Sequence, residues 1–131
     1  MNRSKPYLIL IDDEPDVTDI LKAYLEDNFI IKCFNDPIEA LESLKTTHYD
    51  LMITDISMPN INGMILTKKA REISEKMPII QCSGQVISEL DKSTSISAGA
   101  IAILKKPFGS PDDVLSFILK WIPDIFSQEP T

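Results

Sequence analysis

Asp12, Asp13, Asp55, Ser83 and Lys106 each stand at the end of a short apolar run. Asp12 and Asp13 follow Leu8-Ile9-Leu10-Ile11. Asp55 follows Leu51-Met52-Ile53-Thr54, Ser83 follows Ile79-Ile80-Gln81-Cys82, and Lys106 follows Ala100-Ile101-Ala102-Ile103-Leu104-Lys105. Read as parallel strands, these runs deliver three carboxylates, a hydroxyl and an ammonium to one edge of a sheet. In open α/β sheets that edge is where ligands bind. Two carboxylates about 4 Å apart repel by roughly 4 kcal/mol at an effective dielectric of about 20, so three together call for a cation. Hard oxygen donors, few and leaving room for water, suit Mg²⁺ better than Ca²⁺, and Lys106 offsets part of the charge. A carboxylate beside a metal and a lysine can attack phosphorus and form an aspartyl phosphate. Phosphoryl transfer then needs mainly positioning and charge neutralisation on the equatorial oxygens. Mg²⁺, Lys106 and the Ser83 hydroxyl supply those contacts, and Gly84 leaves backbone access to a phosphate. Alone, Asp12-Asp13 reads as a helix cap and Ser83 as a turn residue. The matching placement of Asp55 and Lys106 favours a site.

Such a site needs strands and helices in alternation. The runs near 7–11, 30–34, 51–55, 79–83 and 100–104 are apolar on both faces, as parallel strands covered by helices are. In the first helix Val17, Ile20, Leu21, Tyr24 and Leu25 form one apolar stripe. Pro15 suits its first turn, and Asp16 and Asp19 favour its positive end. The second helix starts at Asn35-Asp36-Pro37 and turns Ile38, Leu41 and Leu44 inward. The third covers about 63–76 with Leu66, Ala70 and Ile73 inward. The fifth follows Pro111 and carries Val114, Leu115, Ile118, Trp121 and Ile122. The fourth, over 88–97, is rich in Ser, Thr and Asp, which compete for backbone hydrogen bonds. Only Leu90 and Ile96 offer sizeable apolar anchors there. That helix is expected to be short or mobile, ending at Gly99. The alternation gives an α/β sandwich with right-handed crossovers.

The chain of 131 residues, with 44% hydrophobic and 25% charged side chains, is expected to form a single domain, 1–131, with a real core. The segment 127–131 reads as a polar tail. A net charge of −7 argues against direct contact with nucleic acid. No apolar run reaches about 18 residues, so membrane insertion is not expected. The start, Met-Asn-Arg-Ser-Lys-Pro, lacks the apolar segment of a signal peptide, which makes the cytoplasm the expected location. Cys33 and Cys82 fall inside strand runs and read as reduced core thiols. His48 reads as a surface turn. Trp121, Ile125 and Phe126 read as packing, or as a partner patch at the apolar end of the last helix.

Five motifs together resemble a known family. They are Leu-Ile-Asp-Asp-Glu at 10–14, Asp-Ile-Ser-Met-Pro-Asn-Ile-Asn-Gly at 55–63, Ser83-Gly84, Ala98-Gly99-Ala100 and Lys106-Pro107-Phe108. Over about residues 6–123 the chain resembles the receiver domain of bacterial two-component response regulators. Each motif is short; the combination at this spacing is specific. The resemblance implies a flavodoxin-like three-layer sandwich. Its five-stranded parallel sheet has the order 2-1-3-4-5, with two helices on one side and three on the other. It implies a phosphorylation-dependent switch in which Asp55 accepts phosphate from a histidine kinase or a histidine phosphotransfer protein. Asp12 and Asp13 would hold Mg²⁺ together with Asp55 and the backbone carbonyl of Ser57. Ser83 and Lys106 would contact the phosphoryl group, and Pro107 would follow the lysine through a cis peptide. Such a protein takes part in its own phosphorylation and slow autodephosphorylation but is not an enzyme. Ser57 and Gln85 would flank the attacking water. Neither is charged, so hydrolysis is expected to be unassisted. Partner contact, including a homodimer, is expected through the fourth helix, fifth strand and fifth helix.

Two departures bear on the readout. The family usually carries an aromatic ring three residues before the lysine, and here Ile103 stands there. A β-branched aliphatic has no comparable swinging rotamer with a polar tip. The resemblance also ends with the fifth helix, which fits either a stand-alone receiver or part of a longer protein. An interaction module that ignores phosphate is the alternative: Ile103 favours it, and the Asp13, Asp55 and Lys106 set argues against it. A Mg²⁺-dependent phosphohydrolase of the haloacid-dehalogenase type would place a second Asp where Ser57 stands, and a hydroxyl is a poor general acid. A flavodoxin would bring its phosphate against Asp12-Asp13-Glu14, where phosphate loops want glycines and N–H groups.

Overall fold

The computed structural model describes residues 5–58, 61–84 and 88–127. Pro59 and Asn60 of the 55–63 motif, Gln85, and most of the polar tail lie outside them. Strands and helices alternate strictly. They are β1 (Tyr7–Ile11), α1 (Pro15–Leu25), β2 (Ile30–Phe34), α2 (Pro37–Thr46), β3 (Leu51–Asp55), α3 (Gly63–Ile73), β4 (Ile79–Ser83), α4 (Glu89–Ala98), β5 (Ala102–Lys105) and α5 (Pro111–Trp121). The strands form one parallel sheet in the order β2-β1-β3-β4-β5, as expected. β5 begins two residues later than its apolar run, because Ala100 and Ile101 belong to the turn out of α4.

Both faces of the sheet are buried. Leu8, Leu10, Leu51, Ile53, Ile80 and Cys82 face one core, closed by Leu21 and Leu25 of α1 and by Val114 and Ile118 of α5. Ile9, Ile11, Met52 and Ile79 face the other, closed by Ala40, Leu41 and Leu44 of α2 and by Leu66 and Ala70 of α3. The alternation follows from the two-residue period of a strand. Cys33 and Cys82 are free thiols on β2 and β4. Beyond α5, Ile125 is buried, and Phe126 stacks obliquely on Phe29 at 5.2 Å. No helix among the described residues is long and apolar enough to cross a membrane.

The helix starts follow their capping chemistry. Asp36, Asn62, Ser88 and Ser110 each accept a first-turn backbone N–H, and Ser110 forms a reciprocal capping box with Asp113. Three inward assignments need correction. Ile20, Ile38 and Ile73 are exposed, because each helix is rotated so that a smaller residue meets the sheet: Thr18 in α1, Ala40 in α2, Thr67 in α3. Trp121, at the end of α5, is about half exposed, with its ring 6.5 Å from that of Phe117. α3 stops at Ile73, capped by Ser74, three residues before its expected end.

The fourth helix departs most from expectation. It is a full ten-residue helix, yet Leu90 and Ile96, the expected anchors, are 76% and 63% exposed. Its buried residues are Ser95 and Ala98. Gly99 ends it at a φ of 122°, a conformation that suits glycine.

Candidate functional site

Register brings the strand ends level. Ile11 of β1 pairs with Thr54 of β3, Asp55 pairs with Cys82 of β4, and Ser83 pairs with Lys105 of β5. Asp12 and Asp13 therefore leave β1 beside the end of β3, and Lys106 leaves β5 beside the end of β4. Asp12, Asp13 and Asp55 each offer a carboxylate oxygen within 4.8 Å of the other two. Lys106 Nζ donates to Asp12 Oδ2 at 2.9 Å and to Asp55 Oδ1 at 3.3 Å.

The Asp12 carboxylate is held on both oxygens, since its Oδ1 accepts the Glu14 N–H at 2.9 Å. Asn35 Nδ2 donates to the Asp12 carbonyl at 2.8 Å, so the turn into α1 is braced from the end of β2. Asp55 is buried at the end of β3. α3 starts against the peptide that follows it: Gly63 N–H donates to the Ile56 carbonyl at 2.6 Å. A Cβ at Gly63 would collide with the Asp55 carbonyl oxygen and Ile56 Cα, so only glycine fits this approach.

Charge follows this geometry. Burial, and then the neighbouring Asp12 carboxylate, push the Asp55 carboxyl above the ordinary carboxylate range, and Lys106 offsets only part of that. Burial lowers the Lys106 pKa, but its hydrogen bond and attraction to Asp12, then to Asp55, outweigh this and leave it above the ordinary lysine value. Three hard oxygen donors facing one ammonium leave excess negative charge. The residues therefore fit a small, hard dication such as Mg²⁺.

Ser83 is buried at the end of β4, and its carbonyl accepts the Lys106 N–H at 2.8 Å. A Cβ at Gly84 would meet only the Lys106 side chain, at 4.0 Å. Ser57 is exposed, two residues past the end of β3. The Lys106–Pro107 peptide is cis. His48 is exposed and pairs with Asp50 at 3.2 Å at the opposite end of β3.

Other polar features here carry no motif. Gln81 of β4 is fully buried; its Nε2 donates to Thr67 Oγ1 at 2.9 Å and to Met64 Sδ at 3.6 Å. Ser95 of α4 donates to the same sulfur at 3.6 Å. Arg71 of α3 donates to the Gly99 carbonyl at 2.8 Å. α4 is thus held toward its C-terminal end, next to α3. Between α4 and α5, over β5, lies a groove of about 310 Å³ lined by Ile96, Ile101, Ile103 and Trp121, with Lys92 among its walls.

A doubly wound parallel sheet with lysine-bridged carboxylates at its C-terminal edge defines a CheY-like domain of the flavodoxin-like class. The chain belongs to the response regulator receiver domain family, whose model matches residues 8–118. Among curated proteins it is similar to the regulatory protein VanR of Enterococcus faecium. The two are 32% identical over 102 residues, covering 77% of this chain and 43% of VanR. The chain spans less than half the length of the curated relatives it matches first. A CheY-like receiver domain protein from Methanospirillum hungatei JF-1 superposes with a TM-score of 0.85 at 25% identity, covering 96% of this chain and all of that one. The receiver domain of the sensor histidine kinase PA1611 of Pseudomonas aeruginosa PAO1 shares the fold. Its TM-score is 0.79 at 24% identity over 92% of this chain and 99% of that one, and its structure has a magnesium ion coordinated in the active-site cleft.

Proposed function

We propose that this receiver domain is a phosphorylation-dependent switch whose phosphoacceptor is Asp55. The observation that carries the reading is the Lys106 ammonium, hydrogen-bonded to both Asp12 and Asp55 inside a cluster of three carboxylates. An Asp55 oxygen attacks the phosphorus of a phosphohistidine on a histidine kinase or phosphotransfer protein. The new O–P bond forms as the P–N bond breaks, and the imidazole leaves with the electron pair and takes up a proton. Lys106 and the Ser83 hydroxyl orient the transferred group and spread its charge.

Asp12, Asp13 and Asp55, with the Ser57 backbone carbonyl, are the residues that would hold Mg²⁺. When bound, it supplies positive charge against the phosphoryl oxygens. The protein takes part in its own phosphorylation and slow autodephosphorylation and is not otherwise an enzyme. It works in the cytoplasm and contacts neither DNA nor RNA directly. Its output surface, for a partner or a second copy, is the α4-β5-α5 face with its groove over Ile103.

Incubation with acetyl phosphate and Mg²⁺ tests this. The protein should gain one phosphoryl group that hydroxylamine removes, and Asp55→Asn should gain none. Undiminished labelling of Asp55→Asn would sink the assignment. A wild-type chain that takes no label would favour an interaction module that ignores phosphate.

A further inference from the structure

The loop that carries Lys106 is held by a residue that no motif marks. Lys106 leaves β5 with its N–H on the Ser83 carbonyl at 2.8 Å. Four residues later the chain is fixed again by the Ser110–Asp113 capping box at the start of α5. Between these anchors Pro107 has no N–H to donate. Gly109 turns at a φ of 79°, where a Cβ would strike Asp113 Oδ2 at 2.6 Å. The loop is fastened to the rest of the fold there by the Phe108 ring, packed on the α1–α5 core, and by the Tyr24 hydroxyl of α1. That hydroxyl donates to the Gly109 carbonyl at 2.7 Å, across 85 residues of chain.

We infer that Tyr24 is a positioning residue for phosphoryl transfer, acting through the 106–110 loop on the Lys106 ammonium. The inference rests on the phosphoacceptor reading above. α1 follows the acidic pair Asp12-Asp13, and the 106–110 loop follows the lysine. Tyr24 therefore ties the helix behind one half of the site to the loop behind the other half. Lys106 reaches its two carboxylates at 2.9 and 3.3 Å from a backbone whose lateral hold includes this hydroxyl. Loss of a neutral hydrogen bond of this kind corresponds to a change of about threefold to tenfold in rate.

The test is a double-mutant cycle on the full chain with acetyl phosphate and Mg²⁺: wild type, Tyr24→Phe, Lys106→Gln and the double variant. Tyr24→Phe keeps the ring in the core and removes only the hydroxyl. It should slow phosphorylation of Asp55 about threefold to tenfold. It should leave the half-saturating Mg²⁺ concentration unchanged, and it should add no slowing in the Lys106→Gln background. An unslowed Tyr24→Phe, or the same factor of slowing in both backgrounds, overturns the inference. Should the Lys106→Gln rate be too slow to compare, hydrogen exchange decides. Residues 105–110 should exchange faster in Tyr24→Phe while β3 is unchanged, and an unchanged loop overturns the inference. A wild-type chain that takes no phosphoryl group instead refutes the phosphoacceptor reading, and this role with it.

Discussion

Lys106 donates to Asp12 at 2.9 Å across 94 residues of sequence, closer than its 3.3 Å contact with Asp55. The lysine thus bridges the carboxylate that braces the turn into α1 and the one at the end of β3. It screens the repulsion between them. Removing it should make the site lean harder on metal. Mg²⁺ should raise the melting temperature of wild type, and raise that of Lys106→Met more. Asp13→Asn should show a smaller rise than wild type. Thermal melts across a Mg²⁺ titration check the order; an equal rise in all three would place the metal elsewhere.

Stability should depend on pH through Asp55. Its native pKa is raised by burial and by Asp12, so the folded state holds that proton more tightly than the unfolded chain. Stability then falls as pH rises from the unfolded value, about 3.9, through the raised native value. Lys106, also raised, contributes stability that is fully present below its unfolded value of about 10.4 and is lost as pH climbs through its native value. Asp55→Asn should be more stable than wild type near neutral pH, with the gap closing as pH falls toward about 4. Urea unfolding at both pH values measures this, and a gap independent of pH would contradict it.

α4 should respond to phosphorylation at its loosely held end. Ser95 on Met64 and Gly99 on Arg71 tie its C-terminal part to α3, while Leu90 and Lys92 are exposed. Beryllofluoride with Mg²⁺ should change hydrogen exchange more over 88–94 than over 95–99. Arg71→Ala should speed exchange over 95–99 about tenfold, the effect of losing a charged hydrogen bond. Equal protection of both halves in both states would contradict a helix held at one end.

Two backbone devices should differ in cost. Ser110→Ala removes one half of the α5 capping box and should cost about 1 kcal/mol. Gly63→Ala forces a Cβ into the Asp55–Ile56 backbone and should cost more. Denaturant melts rank them, and a Gly63→Ala variant as stable as wild type would contradict the close approach.

The sheet and its acidic edge were legible because the central strands β1, β3 and β4 are buried on both faces. Leu8 to Ile11 and Leu51 to Thr54 therefore read as unbroken apolar runs that end on Asp12 and Asp55. The inward stripes were legible in Leu21 and Leu25, Leu41 and Leu44, Leu66 and Ala70, and Val114 and Ile118, but their edges were not. Ile20 and Ile38 fit a helical stripe, but Thr18 and Ala40 take the buried positions, because close packing on the sheet favours the smaller residue. The anchors of α4, expected at Leu90 and Ile96, lie elsewhere for a related reason. Its anchoring is a hydroxyl on a thioether and an arginine on a carbonyl, and neither leaves a periodic apolar signal. Tyr24 looked like one more member of an apolar stripe. Its hydroxyl contact with Gly109 joins positions whose proximity only the fold reveals.

The most direct measurement reduces the phosphorylated protein with borohydride, which converts an aspartyl phosphate to homoserine, and locates the product by peptide mass spectrometry. Homoserine at position 55, absent without Mg²⁺ and absent from Asp55→Asn, is the expected result. Homoserine at Asp12 or Asp13, or a borohydride-resistant phosphate on Ser83 or His48, would contradict the assignment of Asp55 as the phosphoacceptor.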